Sequence, residues 1–124
     1  MPIQTTVYHP DRLIIGVATG PITFDDFVKY GLEVLQGGLT HYRKILDVLD
    51  AQPVIKEQEF LAMVQLIREV RPGKRRGPLA FVADRKRGDL ARLFARLEVD
   101  GRPAQVFPSI REARQWLAQH PVDE

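Results

Sequence analysis

Apolar and polar side chains alternate from the start of the chain. Ile3, Thr5 and Val7 fall between Gln4, Thr6 and Tyr8, the period of a strand with one exposed face. His9-Pro10-Asp11-Arg12 has turn chemistry, with proline at the favoured second position. The run Leu13 to Ala18 is too short for a buried helix and predicts a second strand, folded back on the first as a hairpin. Gly20-Pro21 then interrupts it, because glycine admits positive φ and proline removes a donor. Thr23 and Asp26 have the spacing of a capping box, and Phe24, Phe27, Val28, Leu32 and Leu35 fall on one helical face. These signals predict a helix over about 23–36 that stops at Gly37-Gly38.

The pattern then repeats. Arg43 to Leu49 predicts a third strand, and its apolar continuity predicts burial inside the sheet. Ala51-Gln52-Pro53 ends that strand, and a second helix is expected from about Lys56 to Val70, stopping before Pro72-Gly73. Pro78 to Ala83 is the fourth strand. Leu90, Leu93, Phe94 and Leu97 fit the helical template and predict a third helix from near Asp89. A short strand, Ala104 to Phe107, precedes a helix capped by Ser109 with Glu112 as its partner, and Ile110, Ala113 and Leu117 point inward. The expected fold is α/β: an N-terminal β-hairpin, then αβαβαβα, with a mostly parallel, mixed five-stranded sheet and four helices. Right-handed crossovers join the parallel strands, and the first strand is antiparallel at or near an edge. No repeat or long linker divides the chain, so residues 1–124 are read as one domain.

Composition narrows the chemistry. The absence of cysteine excludes disulfides, thiolate metal sites and thiol catalysis. The first residues lack a signal-peptide pattern, and no apolar run approaches the roughly 20 residues of a membrane span. A cytoplasmic location is the expectation. The net charge of +2 is unevenly placed: residues 68–102 are net +6, against −3 for 1–67 and −1 for 103–124.

Four stretches in order, Ile14 to Thr23, Lys44-Ile45-Leu46-Asp47, Leu79 to Asp84 and Val106 to Leu117, resemble the strand and helix signatures of STAS domains, and more narrowly of the SpoIIAA-like branch. The resemblance covers nearly the whole chain. It implies a signalling or ligand-sensing module rather than an enzyme. In the anti-sigma factor antagonists of that family, a serine in an Asp-Ser-Ser-Gly-Leu motif opening the second helix is phosphorylated. The corresponding Lys56-Glu57-Gln58-Glu59-Phe60 holds no serine or threonine, and the chain's single serine is Ser109. Glu57 would place a fixed charge there, which a helix start accommodates in any case. SpoIIAA-like relatives also imply an apolar cleft for a lipid-like molecule. Phe60, Leu61, Met63, Val64, Leu66, Ile67 and Val70, apolar on more than one face, motivate that option beside plain core packing or a dimer contact.

Other chemistry has little support. His9, His41 and His120 share no ligand spacing and read as solvated loop residues, and Ser109 lacks the context of a nucleophile. No metal, cofactor or catalytic residue is expected. Open α/β sheets bind ligands beyond the carboxyl ends of their strands, where Gly20, Asp50, Gln52, Asp84, Arg85 and Arg87 fall. Arg85, Lys86 and Arg87 share their basic character with Arg92 and Arg96 on one face of the third helix. Lys74-Arg75-Arg76 belongs to the opposite end of a strand about 20 Å long. The expected ligand- or partner-binding set is therefore Asp50, Gln52, Glu57, Asp84, Arg85, Arg87 and Arg92. It would serve a protein partner or a small apolar or anionic ligand, with peripheral membrane contact and a homodimer as further options. Nucleic-acid binding and small-molecule catalysis rank lower, since no aromatic side chains interleave with the basic stripe.

Overall fold

The computed structural model describes residues 3–39, 41–54, 56, 58–59, 61–62, 77–84 and 104–120. β1 (Ile3–Tyr8) and β2 (Leu13–Thr23) form the expected antiparallel hairpin. α1 (Phe24–Gln36) leads to β3 (Arg43–Val54), and β4 (Leu79–Val82), β5 (Ala104–Phe107) and α2 (Ile110–Ala118) follow. The sheet runs β1-β2-β3-β4-β5, parallel from β2 onward, with β1 at one edge. The mixed five-stranded sheet is as expected, and two of the four expected helices are present in full among the described residues. The helix expected over 56–70 is represented by Gln58, Glu59, Leu61 and Ala62, which are helical, and by Lys56 N–H donating to Glu59 Oε1 at 3.0 Å. The remainder of that helix, and the helix expected from Asp89, lie outside the described residues.

Each face of the sheet has its own core. On one, Phe27 of α1 packs with Ala18, Ile22, Leu46, Val48, Ala51 and Phe81. On the other, Ala113 and Leu117 of α2 cover Leu13, Ile45, Ala80 and Val82. β3 and β4 alternate between these faces, so both sides of the central strands are apolar, as the unbroken runs require. Even Lys44 is only 5% exposed; its Nζ donates to the Tyr42 carbonyl at 2.8 Å. Arg43 ties three segments together, donating from one guanidinium nitrogen to Leu117 O in the last turn of α2 and from the other to Asp11 O in the hairpin turn.

The helix termini follow their sequence signals. Thr23 N–H donates to Asp26 Oδ2 at 2.8 Å, and Asp26 N–H returns to Thr23 Oγ at 3.3 Å, closing the box. At the other end Gly38 has φ +69, and Leu39 N–H donates to Val34 O at 3.0 Å, with Leu39 packed near Val34. That is a Schellman termination, which needs the left-handed glycine. Ser109 Oγ accepts from Glu112 N–H at 3.2 Å and so caps α2.

Asp26 makes the first cap sensitive to pH. Its carboxyl is held below the ordinary value of 3.8, chiefly by the hydrogen bond from the Thr23 backbone N–H; desolvation opposes this, and the Thr23 hydroxyl and Lys29 assist. A depressed folded-state pKa means that stability from the cap is present above the unfolded value and lost as pH falls through the folded one. Urea midpoints of the native chain and of Asp26→Asn are therefore expected to differ at neutral pH and converge on acidification below 3.8. A difference independent of pH would show that the charge plays no part.

Three expectations are corrected. β2 does not stop at Ala18, and β3 does not break at Ala51-Gln52-Pro53; both run on, paired from Thr19↔Asp50 to Thr23↔Val54. Burial drives the extension, because Ile22 is fully buried and Ala51 is 3% exposed against the α1-side core. Gly20 takes the left-handed conformation, φ +69, and Pro21, which has no N–H to donate, fits a strand paired on one side only. Second, Leu32 of α1 is exposed rather than on the packed face: Phe27 and Val34 are buried and Tyr30 joins them, so the helix sits rotated from the simple apolar stripe. Third, the histidines are not merely solvated. His9 Nδ1 hydrogen-bonds the Tyr42 hydroxyl at 2.8 Å, His41 meets the Tyr42 ring edge-on, and the His120 ring lies tilted against Trp116.

Candidate functional site

The extension makes a two-stranded ribbon at the carboxyl end of the sheet. β1 reaches only as far as Ala18 and β4 only as far as Asp47, so the ribbon projects past both neighbours. Its register shifts between Val17 and Thr19 of β2, which face Asp47 and Asp50 of β3. β3 therefore spends one extra residue, a bulge that re-aims the side chains beyond it. Val48 and Ala51 are both buried on the α1 side, whereas Leu49 and Asp50 between them are both exposed. Asp47 secures the bulge, its Oδ1 accepting from Leu49 N–H at 3.0 Å.

This bulge decides what the tip presents. Ile22 and Ala51 turn inward, so alternation sends Thr19, Pro21 and Thr23 of β2 and Asp50 and Gln52 of β3 to the opposite face, where all are exposed. Asp50 lies opposite Thr19, and Gln52 opposite Pro21. Asp47 lies opposite Val82, whose side chain packs under α2 on that same side. Asp84, exposed and one residue past the buried Ala83, falls there too by alternation, and it has interactions of its own. The structure thus brings Asp50, Gln52 and Asp84 to one side of the sheet end. Glu57, Arg85, Arg87 and Arg92 lie outside the described residues.

Two residues of this surface were not anticipated. Thr19 and Asp47 join it only through the register. The one available signal was an aspartate inside an apolar strand, followed by a second three residues on. Asp50 and Gln52 were expected in a loop beyond the sheet and instead sit within a strand, so the ladder and not a turn fixes their positions. Among the described residues, no group of three or more His, Cys, Asp or Glu is placed to hold a metal ion. No described helix is long and apolar enough to cross a membrane.

The strand order and the projecting ribbon belong to a chain whose overall fold has a counterpart among known structures. It is similar to an uncharacterised protein of the DUF3478 family from Shewanella loihica PV-4, whose crystal structure has a SpoIIAA-like fold. The TM-score is 0.62 at 15% sequence identity, covering 93% of this chain and 91% of that one. The chain thus has the SpoIIAA-like fold expected from its strand and helix signatures. No protein-family profile matches it, and no curated protein does.

Proposed function

We propose that the chain is a non-enzymatic STAS/SpoIIAA-like recognition module that binds a protein partner or small ligand at the ribbon tip, without the phosphorylatable serine of its signalling relatives. The observation that carries this reading is the extended β2–β3 ribbon, which offers Thr19, Asp50 and Gln52 as exposed polar groups beyond the rest of the sheet. Strand carboxyl ends are the usual ligand side of such sheets. Support for a role without phosphorylation comes from residues 56–60, which lack a hydroxyl side chain, and from Ser109, whose hydroxyl is occupied in capping α2.

The test is quantitative capture on the immobilised chain from a lysate of the source organism, comparing the native protein with Asp50→Lys/Gln52→Arg at matched circular dichroism. The expected result is a partner or metabolite retained by the native chain and reduced at least about tenfold by the double variant, the loss of about 1.4 kcal/mol of binding. Equal retention by both would remove the ribbon tip from the function. A second reading, a carrier or sensor of a nonpolar ligand at a membrane surface, draws on Leu49, Val54 and Leu61, which are 45%, 62% and 46% exposed. Native mass spectrometry separates the two. A co-purifying lipid favours the carrier; an apo spectrum without vesicle binding favours polar recognition.

A further inference from the structure

The sheet has four free flanks among the described residues: the outer sides of β1 and β5, and the two sides of the projecting ribbon. Three of them resist pairing with another strand. The β2 flank of the ribbon carries Gly20 at φ +69 and Pro21, which has no N–H to give. The β3 flank carries the bulge and Pro53. β5 is only four residues long. β1 has no such protection. It runs six residues, Ile-Gln-Thr-Thr-Val-Tyr, without charge, glycine, proline or bulge, and five of the six are strand formers. Soluble proteins usually blunt an edge of this kind with lysine, proline or a bulge.

We propose that β1 is a homodimerisation edge, with two copies pairing their β1 strands antiparallel about a two-fold axis perpendicular to the sheet. Two five-stranded sheets then become one continuous sheet of ten. The second copy is the occupant because the strand complements itself. A two-fold of this kind preserves the faces of the sheet, so facing residues must share a face. Centring on Thr5 sets Thr5 against Thr5 of the second copy, Ile3 against Val7, and Gln4 against Thr6. Thr–Thr and β-branched apolar pairs stabilise antiparallel ladders, and with no charge on the strand no like charges meet. Isologous contacts of this kind close at two subunits and do not propagate. The other flanks limit growth from the far side. The proposal is independent of recognition at the ribbon tip.

The chain has no cysteine, so single cysteines report cleanly. Light scattering after size exclusion, over roughly a hundredfold concentration range, is expected to show a dimer dissociating on dilution. Thr5→Cys is expected to cross-link to a covalent dimer under mild oxidation or with a short thiol-reactive linker, because facing Cβ atoms lie about 4.5–5.5 Å apart. Gln105→Cys on β5 is the collision control and should stay monomeric. Gln4→Lys/Thr6→Lys, on two exposed positions, is expected to give a monomer with native circular dichroism, since lysines then face lysines across the pair. A monomer at every concentration overturns the proposal. So does a dimer indifferent to the lysine pair, or equal cross-linking through Gln105→Cys. Cross-linking through Thr6→Cys in place of Thr5→Cys overturns the register and with it the self-pairing described.

Discussion

Gly77→Ala is expected to destabilise the protein by about 3 kcal/mol or more, enough to abolish folding if the native margin is small. Gly77 is buried at the approach to β4, where its α-carbon lies against the backbone of β3's approach. A Cβ there would sit inside the van der Waals distance of the Tyr42 carbonyl oxygen, with the His41 carbonyl also too near. These are backbone atoms and cannot rotate away. The next residue, Pro78, accepts from Lys44 N–H at 2.9 Å, so separating the chains would also strain the first bond of the β3–β4 ladder. Urea unfolding followed by circular dichroism measures the effect. Gly31→Ala is the internal control. Gly31 is exposed in α1 with open space where the Cβ would go, so this change is expected to stabilise by about 0.5–1 kcal/mol through helix propensity. A near-neutral Gly77→Ala would mean that β4 does not approach Tyr42 so closely.

The second large effect is expected at Phe81. Its side chain is 2% exposed and belongs to the α1-side core with Leu46, Val48, Leu79 and Ala83; Val106 of β5 packs against the same cluster. Truncation to alanine removes apolar contacts at mid-sheet and leaves a cavity whose walls are strands held by ladders on both sides. Such walls collapse poorly, so the cost is expected near the upper part of the range for this change, about 3–5 kcal/mol. Phe81→Leu, which retains more of the volume, should recover much of the loss. The urea midpoints of the two variants decide the matter. A loss near 1 kcal/mol for Phe81→Ala would show that the core can close around the missing ring.

Neither effect is visible in the linear chain. Gly77 stands beside Pro78 and looks like an ordinary turn residue; only the docking of β4 on β3 shows that it is a point of backbone contact. Phe81 was legible as a strand residue, because Pro78 to Ala83 is apolar throughout, but its weight depends on having β3 and β5 on either side. The candidate site divides in the same way. Asp50, Gln52 and Asp84 were legible as residues near the ends of strands, since ends are marked by the first polar side chains after an apolar run. The ribbon that carries the first two was not. Gly20-Pro21 and Ala51-Gln52-Pro53 are breaker signals locally, and they are overridden because the two segments pair with each other and bury Ile22 and Ala51.

Among the described residues, local signals account for the order of β1, β2, α1, β3, β4, β5 and α2, for the hairpin, for the caps at Thr23, Gly38 and Ser109, and for the alternation that makes a two-sided sheet. Those features depend on residues within a few positions of one another, where turn chemistry, capping and hydrophobic period act directly. How far β2 and β3 extend, which way α1 is rotated, where the β3 bulge falls, and so which side Asp50 and Gln52 face, emerge only in the folded chain. Each of those depends on the register between segments distant in sequence. A shift of one residue in that register exchanges every side chain between core and surface.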